Sequence, residues 1–340
     1  MKKTIAWLLT VLMVLSLLGC GGGSSTGATE NTGTPAASGA EDAAGSSSAV
    51  AESKNPAEPP AVEKPQSGVI VLPPAPPPPA DTEGSEKVRY VVGTELLEET
   101  IRAEDGTRLA EARYHLPVLT AVLEEEEADV PITEENATTD LRKNALAVTA
   151  AFSAGFDVWR QGNELLKEYA HGDYAQRPEM FREMGMYFAD ELEFTSWQTD
   201  GLVSIRGKSY SYYGGAHPNS LLPAWNFDLN KGEFITPLAL AADETEFRTV
   251  VAEELKVLAE ERAKGFEIVP TDLYWEDYAA ILQNWCEGSV SFDTAGMTVS
   301  YPPYELGSYA AGAHEFTISY AFLEPHLSEY GRELLGLTGS

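Results

Sequence analysis

The sequence contains few cysteines and few positive charges. Its 340 residues include two cysteines, and its 23 Lys and Arg residues face 53 Asp and Glu residues, which gives a net charge of −30. A surface this acidic repels polyanions, so we expect no nucleic-acid partner. It attracts basic molecules, so a cationic protein or peptide is the type of partner that the charge favours.

The sequence also lacks an apolar run long enough to span a bilayer. The run from Ile5 to Leu18 is shorter than the roughly 20 residues that a membrane-spanning helix needs. It follows Lys2 and Lys3 and precedes Cys20. This pattern is typical of a bacterial lipoprotein signal peptide at residues 1–19. We therefore predict that a lipid on Cys20 holds the protein on the extracytoplasmic face of the cell membrane and is its only membrane attachment.

Lipidation of Cys20 would leave Cys286 as the one remaining thiol, which excludes an internal disulfide in the mature chain. Apolar residues recur at helical spacing just before Cys286. We therefore expect this thiol to be buried and inert, as cysteines outside disulfides commonly are.

Catalytic and cofactor signatures are absent. The sequence has no Walker loop, no Gly-x-Ser-x-Gly elbow, no dinucleotide-binding glycine pattern and no His-Glu-x-x-His motif. Its five histidines are isolated, so none forms a pair at the spacing that metal sites use. We predict a protein without metal, cofactor or catalytic activity. Carboxylates are so numerous that an acid/base pair among them stays possible.

Composition divides the chain into a polar linker and a folded part. Residues 20–87 are dominated by Gly, Ser, Ala, Thr, Glu and Pro, with a proline-rich run at 73–79. Such a segment cannot bury a core, so we predict a disordered tether. We predict two folded sub-domains beyond it, at residues 88–222 and 223–337.

Alternating apolar residues and turn sequences predict antiparallel hairpins. Strands are expected at 90–102 and 108–117, joined by Asp105-Gly106, and at 186–197 and 202–213, joined by Thr199-Asp200-Gly201. Another turn, Asn230-Lys231-Gly232, follows a strand at 225–229.

Helices are predicted at 138–169 as one or two segments, from Asp243 as N-cap to Leu258, and at 274–285. Strands at 289–292, 297–301 and 316–322 complete the pattern. Strands and helices occur in separate runs. This arrangement favours an α+β fold with antiparallel sheets and packed helices over a doubly wound parallel sheet.

The most distinctive local sequence is residues 209–219, SYSYYGGAHPN. Its glycines permit positive φ angles, and Pro218 restricts His217 to extended geometry. The simplest interpretation is a tight turn at a strand end, with the imidazole hydrogen-bonded to backbone. The functional alternative is a ligand-facing loop with Tyr212, Tyr213 and His217 on one rim. The candidate ligand-binding residues are Tyr212, Tyr213, Gly214, Gly215, His217 and Asn219.

Three stretches together resemble a known family. They are YSYYGGAHPN at 210–219, NFDLNKGE at 226–233 and YPPYELGSYAAG at 301–312. They are similar to the paired extracytoplasmic domains of RsiV-type anti-sigma factors and PdaC-type peptidoglycan deacetylases. The resemblance covers residues 88–323 and is clearest from Leu202 onward. It implies an α+β fold in two parts and, from the RsiV type, a module that binds lysozyme.

The sequence departs from both types in other respects. It has neither the cytoplasmic and membrane-spanning segments of the RsiV type nor the metal-binding Asp-His-His set of the PdaC type. We therefore predict a lipid-anchored binding module for a basic wall-active protein such as lysozyme. Two alternatives stay open: a module that binds peptidoglycan glycan through exposed Tyr and Trp side chains, and a wall-modifying enzyme with an unrecognised carboxylate site.

Overall fold

The computed structural model describes residues 86–124 and 128–337. Within them, eight strands form one large sheet, three strands form a small sheet, and helices pack against both. This confirms the predicted α+β class. The predicted signal peptide, Cys20, linker residues 20–85 and Glu125–Glu127 lie outside the described residues.

The large sheet has the strand order β1-β2-β4-β5-β7-β8, with β3 paired to β2 and β6 paired to β5. All described pairs in this sheet are antiparallel except the parallel pair of β2 and β4. The predicted hairpins at Asp105-Gly106 and Thr199-Asp200-Gly201 are confirmed as β1–β2 and β4–β5. The strands are β1 (Val88–Arg102), β2 (Arg108–Leu123), β3 (Val130–Pro131), β4 (Phe188–Gln198), β5 (Leu202–Tyr212), β6 (Asn219–Leu221), β7 (Ala224–Asp228) and β8 (Glu233–Ile235).

Four helices form the connection that makes β2 and β4 parallel, since a parallel pair needs a long crossover. They are α1 (Asp140–Ala154), α2 (Asp157–Arg160), α3 (Glu164–Gln176) and α4 (Pro178–Arg182). The region predicted at 138–169 as one or two helices contains three, with breaks at Gly155 and Gly162, and the third continues to Gln176. The side chain of Asn163 starts α3 by accepting a 2.8 Å hydrogen bond from the Leu166 amide.

The small sheet is antiparallel and lies under the long helix α5 (Glu244–Gly265). Asp243 caps this helix as predicted and accepts a 2.8 Å hydrogen bond from the Glu246 amide. The strands are β9 (Val290–Phe292), β10 (Gly296–Tyr301) and β11 (His314–Ser319), and the further helices are α6 (Pro270–Leu273), α7 (Tyr278–Gln283), α8 (Tyr320–Leu323) and α9 (Glu329–Leu334).

Two predicted elements of this part are wrong in length. The helix expected at 274–285 is only α7, because Tyr274 has extended backbone angles and ends α6. The strand expected at 316–322 stops at Ser319, whose hydroxyl accepts a hydrogen bond from the Phe322 amide and thereby starts α8. The alternation of side chains along the sequence continues beyond Ser319, although the helix cap at Ser319 ends the strand. The prediction from alternation was therefore too long.

Strand β5 lies between two hydrophobic cores. Leu202 packs into the core with α5 and the small sheet, whereas the next residue, Val203, packs into the core with α1 and α3. Successive strand residues face opposite sides of a sheet, so one strand contributes to both cores. Strands β7 and β8, which follow residue 222, extend the large sheet, and the predicted sub-domain boundary stays a prediction.

Glu86 and Lys87, which we predicted as the end of the linker, contact the folded part. Glu86, assigned to the linker from sequence, pairs with Arg142, and the Lys87 carbonyl accepts a 3.0 Å hydrogen bond from the Glu124 amide. Cys286 is buried, as predicted. No described helix has both the length and the apolar character needed to cross a membrane.

Candidate functional site

Two loops meet at a group of three rings that we call the ring cluster: His217, Tyr304 and Tyr309. His217 lies in the loop between β5 and β6, and the two tyrosines lie in the connection between β10 and β11. The imidazole stacks on Tyr309 with ring centroids 4.1 Å apart and planes 17° from parallel. Tyr304 lies 5.4 Å from His217 and 5.5 Å from Tyr309. The cluster therefore joins two of the three stretches that carry the family resemblance.

The imidazole of His217 is oriented by two hydrogen-bond partners. Its Nε2 is 2.7 Å from the Tyr304 hydroxyl, and its Nδ1 faces the Pro218 carbonyl oxygen at 3.4 Å. A carbonyl can only accept, so this geometry places the proton on Nδ1 and lets Tyr304 donate to Nε2. The predicted contact of the imidazole with backbone exists, but the tyrosine provides the shorter contact.

Tyr304 has an unusual backbone conformation. Its φ is +74°, in the left-handed region that costs a residue with a side chain on the order of 1 kcal/mol or more. Trp275 holds this loop by two hydrogen bonds: its indole Nε1 donates to the Tyr304 carbonyl at 3.0 Å, and its amide donates to the Leu306 carbonyl at 2.9 Å. The strained residue is thus held at its carbonyl by the Trp275 indole and at its hydroxyl by His217.

The same loop is held closely against the body of the protein at Gly307. A Cβ atom at this position would lie 2.7 Å from the Leu273 carbonyl oxygen and 3.1 Å from His314 Nε2. Only glycine permits so close an approach. The glycine therefore lets the loop lie on α6 and β11 while Tyr304 and Tyr309 stay at the surface.

Glu305 introduces a titratable group next to the ring cluster. Burial raises the pKa of its carboxyl from 4.5 to about 7. Among the described residues, nothing donates a hydrogen bond to this carboxylate or forms an ion pair with it. Its charge thus changes near neutral pH, directly beside Tyr304.

The structure locates the six candidates predicted from sequence. Gly214 and Gly215 have φ angles of +82° and +126°, as predicted for this loop. The Tyr212 hydroxyl donates a 3.2 Å hydrogen bond to the Gly215 carbonyl and so closes the loop. Asn219 is exposed and pairs with Ser211 at the start of β6. Contact of these residues with a ligand stays a prediction.

The predicted single rim of Tyr212, Tyr213 and His217 does not form. Tyr213 packs against Tyr169 and Phe188 on the helical side of the sheet, with ring centroids 6.2 and 5.9 Å away. Tyr212 lies on the opposite side because neighbouring residues at a strand end alternate in direction. The loop therefore contributes to two separate surfaces.

Tyr213 reaches a half-buried carboxylate that sequence analysis missed. The Asp190 carboxylate accepts hydrogen bonds from the hydroxyls of Tyr114 and Tyr213 at 3.1 and 3.2 Å, and from the Asn163 side-chain amide. Burial raises the pKa of Asp190, while these donors act in the opposite direction. The hydrogen-bonded residues of this cluster are 23 to 76 positions apart in sequence, and no local pattern marks the meeting.

The ring cluster was missed for a similar reason. The stretch at 301–312 carries part of the family resemblance, but nothing in the sequence indicates that Tyr304 and Tyr309 contact His217. Trp275 lies in the helix predicted at 274–285, and the sequence predicts no functional role for it. Within the described residues, no group of three or more His, Cys, Asp or Glu side chains is placed to hold a metal ion.

One solved structure supports the fold. A crystal structure of a DUF3298 family member from Bacteroides fragilis superposes with a TM-score of 0.51 at 12% identity, covering 75% of this chain and 100% of the other. A DUF3298 family protein from Pseudomonas aeruginosa PAO1 gives a TM-score of 0.40 at 15% identity, covering 72% of this chain and 96% of the other. No curated protein matches the sequence.

A match to a family profile comes from sequence and covers a minor part of the chain. Residues 249–321 match the profile described as "Protein of unknown function (DUF3298)". The matched segment runs from within α5 into α8. It contains Trp275, Tyr304 and Tyr309, and it excludes His217. The chain thus carries a DUF3298 domain at residues 249–321.

Proposed function

We propose that this protein is a non-catalytic binding module of the cell surface and that its ring cluster binds a basic wall-active protein such as lysozyme. The observation that carries the proposal is a set of aromatic side chains presented on two braced loops of a highly acidic chain. Tyr304 is 50% exposed, and Trp275 beside it is 39% exposed. Tyrosine and tryptophan are enriched among the residues that contribute most to protein–protein binding energy.

The charges beside the ring cluster favour a basic partner. Exposed Asp272, Glu276 and Asp277 flank Trp275 in sequence, and Glu305 follows Tyr304. The whole chain has a net charge of −30. Carboxylates around an aromatic centre would steer a cationic protein toward the site and leave the rings to provide the close contact. The resemblance to RsiV-type domains points to lysozyme as the first protein to test.

Attachment through Cys20 belongs to the same proposal. A lipid on this residue would place the binding module outside the cell, where wall-active proteins are encountered. Replacing Cys20 with Ala is expected to release the protein from membranes or to leave an unprocessed precursor. Cell fractionation tests this, and a processed Cys20→Ala protein that stays with the membrane would contradict it.

A glycan is the second candidate ligand. The indole of Trp275 and the ring of Tyr304 are exposed neighbours, joined by the 3.0 Å hydrogen bond from the indole to the Tyr304 carbonyl. Exposed aromatic faces of this kind can stack on sugar rings. Such binding would depend little on salt, whereas binding of a basic protein would weaken as salt increases.

The experiment compares ligands and ring variants. The full chain in detergent is titrated with lysozyme and with purified peptidoglycan by calorimetry or by sedimentation. Tyr304→Ala and Tyr309→Ala should each weaken lysozyme binding by roughly tenfold or more. Phe266→Ala, which removes an exposed ring outside the cluster, is the matched control and should bind normally.

The result separates the two ligands. Lysozyme binding that survives both tyrosine substitutions would show that the ring cluster is not the binding site. Binding of peptidoglycan alone, lost in the same variants, would assign the ring cluster to glycan.

A further inference from the structure

A cavity of about 410 Å³ opens beside helix α3, on the side of the large sheet away from Tyr212. Its walls include Tyr169, Tyr213, Glu168 and Gly172. Its volume lies within the range of small-molecule sites. No residue of the ring cluster lines it, so it is a separate site.

Two adjacent aromatic rings form part of the wall. Tyr169 and Tyr213 have centroids 6.2 Å apart and planes inclined by 40°, and Tyr169 is 54% exposed. Phe188 packs edge-on against Tyr213 at 5.9 Å and holds that ring in place. The faces of aromatic rings carry negative electrostatic potential, which attracts cations within about 6 Å of the centroid.

The hydroxyl of Tyr213 makes its ring a better partner for a cation. It donates a 3.2 Å hydrogen bond to the Asp190 carboxylate, and burial raises the pKa of Tyr213, so the group stays a phenol. A phenol that donates to a carboxylate has more electron density on its oxygen and ring. The carboxylate itself adds negative charge behind the ring.

The charged residues of the cavity sum to a negative charge. Asp173 and Arg177 form a two-pronged ion pair at 2.6 and 2.7 Å, so their charges offset each other. Glu168 has no ion-pair partner among the described residues. An anion is therefore disfavoured in this cavity, and a cation gains from both the carboxylate and the rings.

We infer that this cavity binds an organic cation, an alkylammonium or guanidinium group, against the rings of Tyr169 and Tyr213 and near Glu168. The group could belong to a free amine or to a lysine or arginine side chain of another protein. The inference is independent of the ring cluster, which lies on another surface.

The first test uses small probes on the full chain. Choline is compared with 3,3-dimethylbutan-1-ol, its uncharged isostere, and with N-acetylglucosamine, by NMR titration of the tyrosine resonances. Choline should bind about fivefold to thirtyfold more tightly than the isostere, since removal of the charge removes the attraction to the rings. Equal binding of the isostere, tighter binding of the sugar, or no binding of any cation would overturn the inference.

The second test blocks the cavity. Gly172 lies within α3, and a Cβ atom added there meets nothing within 4 Å. Gly172→Leu should therefore fold, because leucine favours a helix more than glycine does, and should abolish binding by occupying the space. Glu168→Gln should weaken choline binding and leave binding of the isostere unchanged. A Gly172→Leu protein that binds choline normally would contradict the site.

A third comparison identifies the source of the cation. N-acetyl-lysine methylamide and N-acetyl-arginine methylamide represent protein side chains, and choline represents a free amine. Tighter binding of a capped amino acid would assign the cavity to a protein partner, and tighter binding of choline to a free quaternary amine. Both results support the cation site. Tyr304→Ala should change none of these affinities, which separates this test from that of the ring cluster.

Discussion

At the scale of single residues, Tyr304 combines backbone strain with an exposed ring. Its positive φ persists because Trp275 and His217 hold both its backbone and its hydroxyl. Strained conformations persist only where the surrounding structure determines them. A side chain held in this way loses little conformational entropy when a partner binds, so its contact contributes more fully to affinity.

The carboxyl of Glu305 predicts a pH dependence of stability. Its pKa in the folded protein is about 7, against 4.5 for the ordinary group. The folded state thus binds the proton more tightly than the unfolded state does. The resulting stability is fully present below pH 4.5 and is lost as pH rises through 7. Glu305→Gln should remove this dependence and raise the free energy of unfolding at pH 8 by about 1–2 kcal/mol, less than the full shift implies because the group is partly exposed.

Urea unfolding at pH 4.5, 6 and 8 checks this prediction. The matched control is Glu276→Gln, which changes an exposed glutamate next to Trp275. The control should follow the unmodified protein at each pH. A Glu305→Gln protein with the same pH profile as the unmodified protein would show that the carboxyl is solvated in solution.

At the scale of elements, a buried polar seam joins the two sheets. The Ser204 hydroxyl donates to the side-chain oxygen Oδ1 of Asn226 at 2.8 Å and accepts from the Phe292 amide at 2.7 Å. The Asn226 side-chain amide donates to the Val290 carbonyl at 2.8 Å. Strand β9 is thereby fixed against β5 and β7 by directional bonds in addition to apolar contact.

Asn226→Ala should destabilise the protein by about 2–4 kcal/mol. The substitution removes the acceptor of the buried Ser204 hydroxyl proton and the side-chain donor to the Val290 carbonyl, and it opens a small cavity. Chemical denaturation measures the change, with Gln283→Ala, at an exposed position of α7, as the control. A loss below 0.5 kcal/mol, as for an ordinary surface change, would mean that water replaces the missing groups.

Elements with strong local signals were predictable from sequence. The Asp105-Gly106 turn and the Asp243 cap both depend on residues within three positions of each other, and both formed as expected. Errors arose where local signals competed. Ser319 interrupts the alternation of 316–322 by capping a helix, and Gly162, with a φ of +85°, divides the long predicted helix.

The candidate site was only partly predictable, since its geometry depends on distant contacts. His217 and Tyr304 are 87 positions apart and share a 2.7 Å hydrogen bond. Each lies in a stretch that sequence analysis selected, but spacing along the chain does not determine which loops meet. Tyr212 and Tyr213 face opposite sides because neighbouring strand residues alternate in direction, so a shared rim was incompatible even with the strand predicted to residue 213.

At the scale of the whole molecule, negative charge dominates. Most of the excess of 30 acidic over basic residues lies in residues 86–340. Many described basic side chains are already paired, among them Arg160 with Glu95 and Arg177 with Asp173. Ion pairs at the surface contribute little to stability. Because the basic side chains are largely paired, the remaining carboxylates keep the electrostatic potential around the protein negative. A basic protein would therefore be attracted over a distance set by the ionic strength.

Binding of lysozyme should accordingly weaken as salt increases, and mainly through slower association. The Debye length falls from about 10 Å at 0.1 M salt to about 3 Å at 1 M, so steering between exposed charges is lost over this range. Replacing Glu124 to Glu127 with Gln should slow association without unfolding the protein, whereas Tyr304→Ala should mainly speed dissociation. Surface plasmon resonance at several salt concentrations separates the two rates.

Cytochrome c, a basic protein of a size similar to lysozyme, is the control for unspecific attraction. Equal affinity for both proteins would reduce the interaction to net charge, and only a preference for lysozyme that depends on Tyr304 supports recognition by the ring cluster.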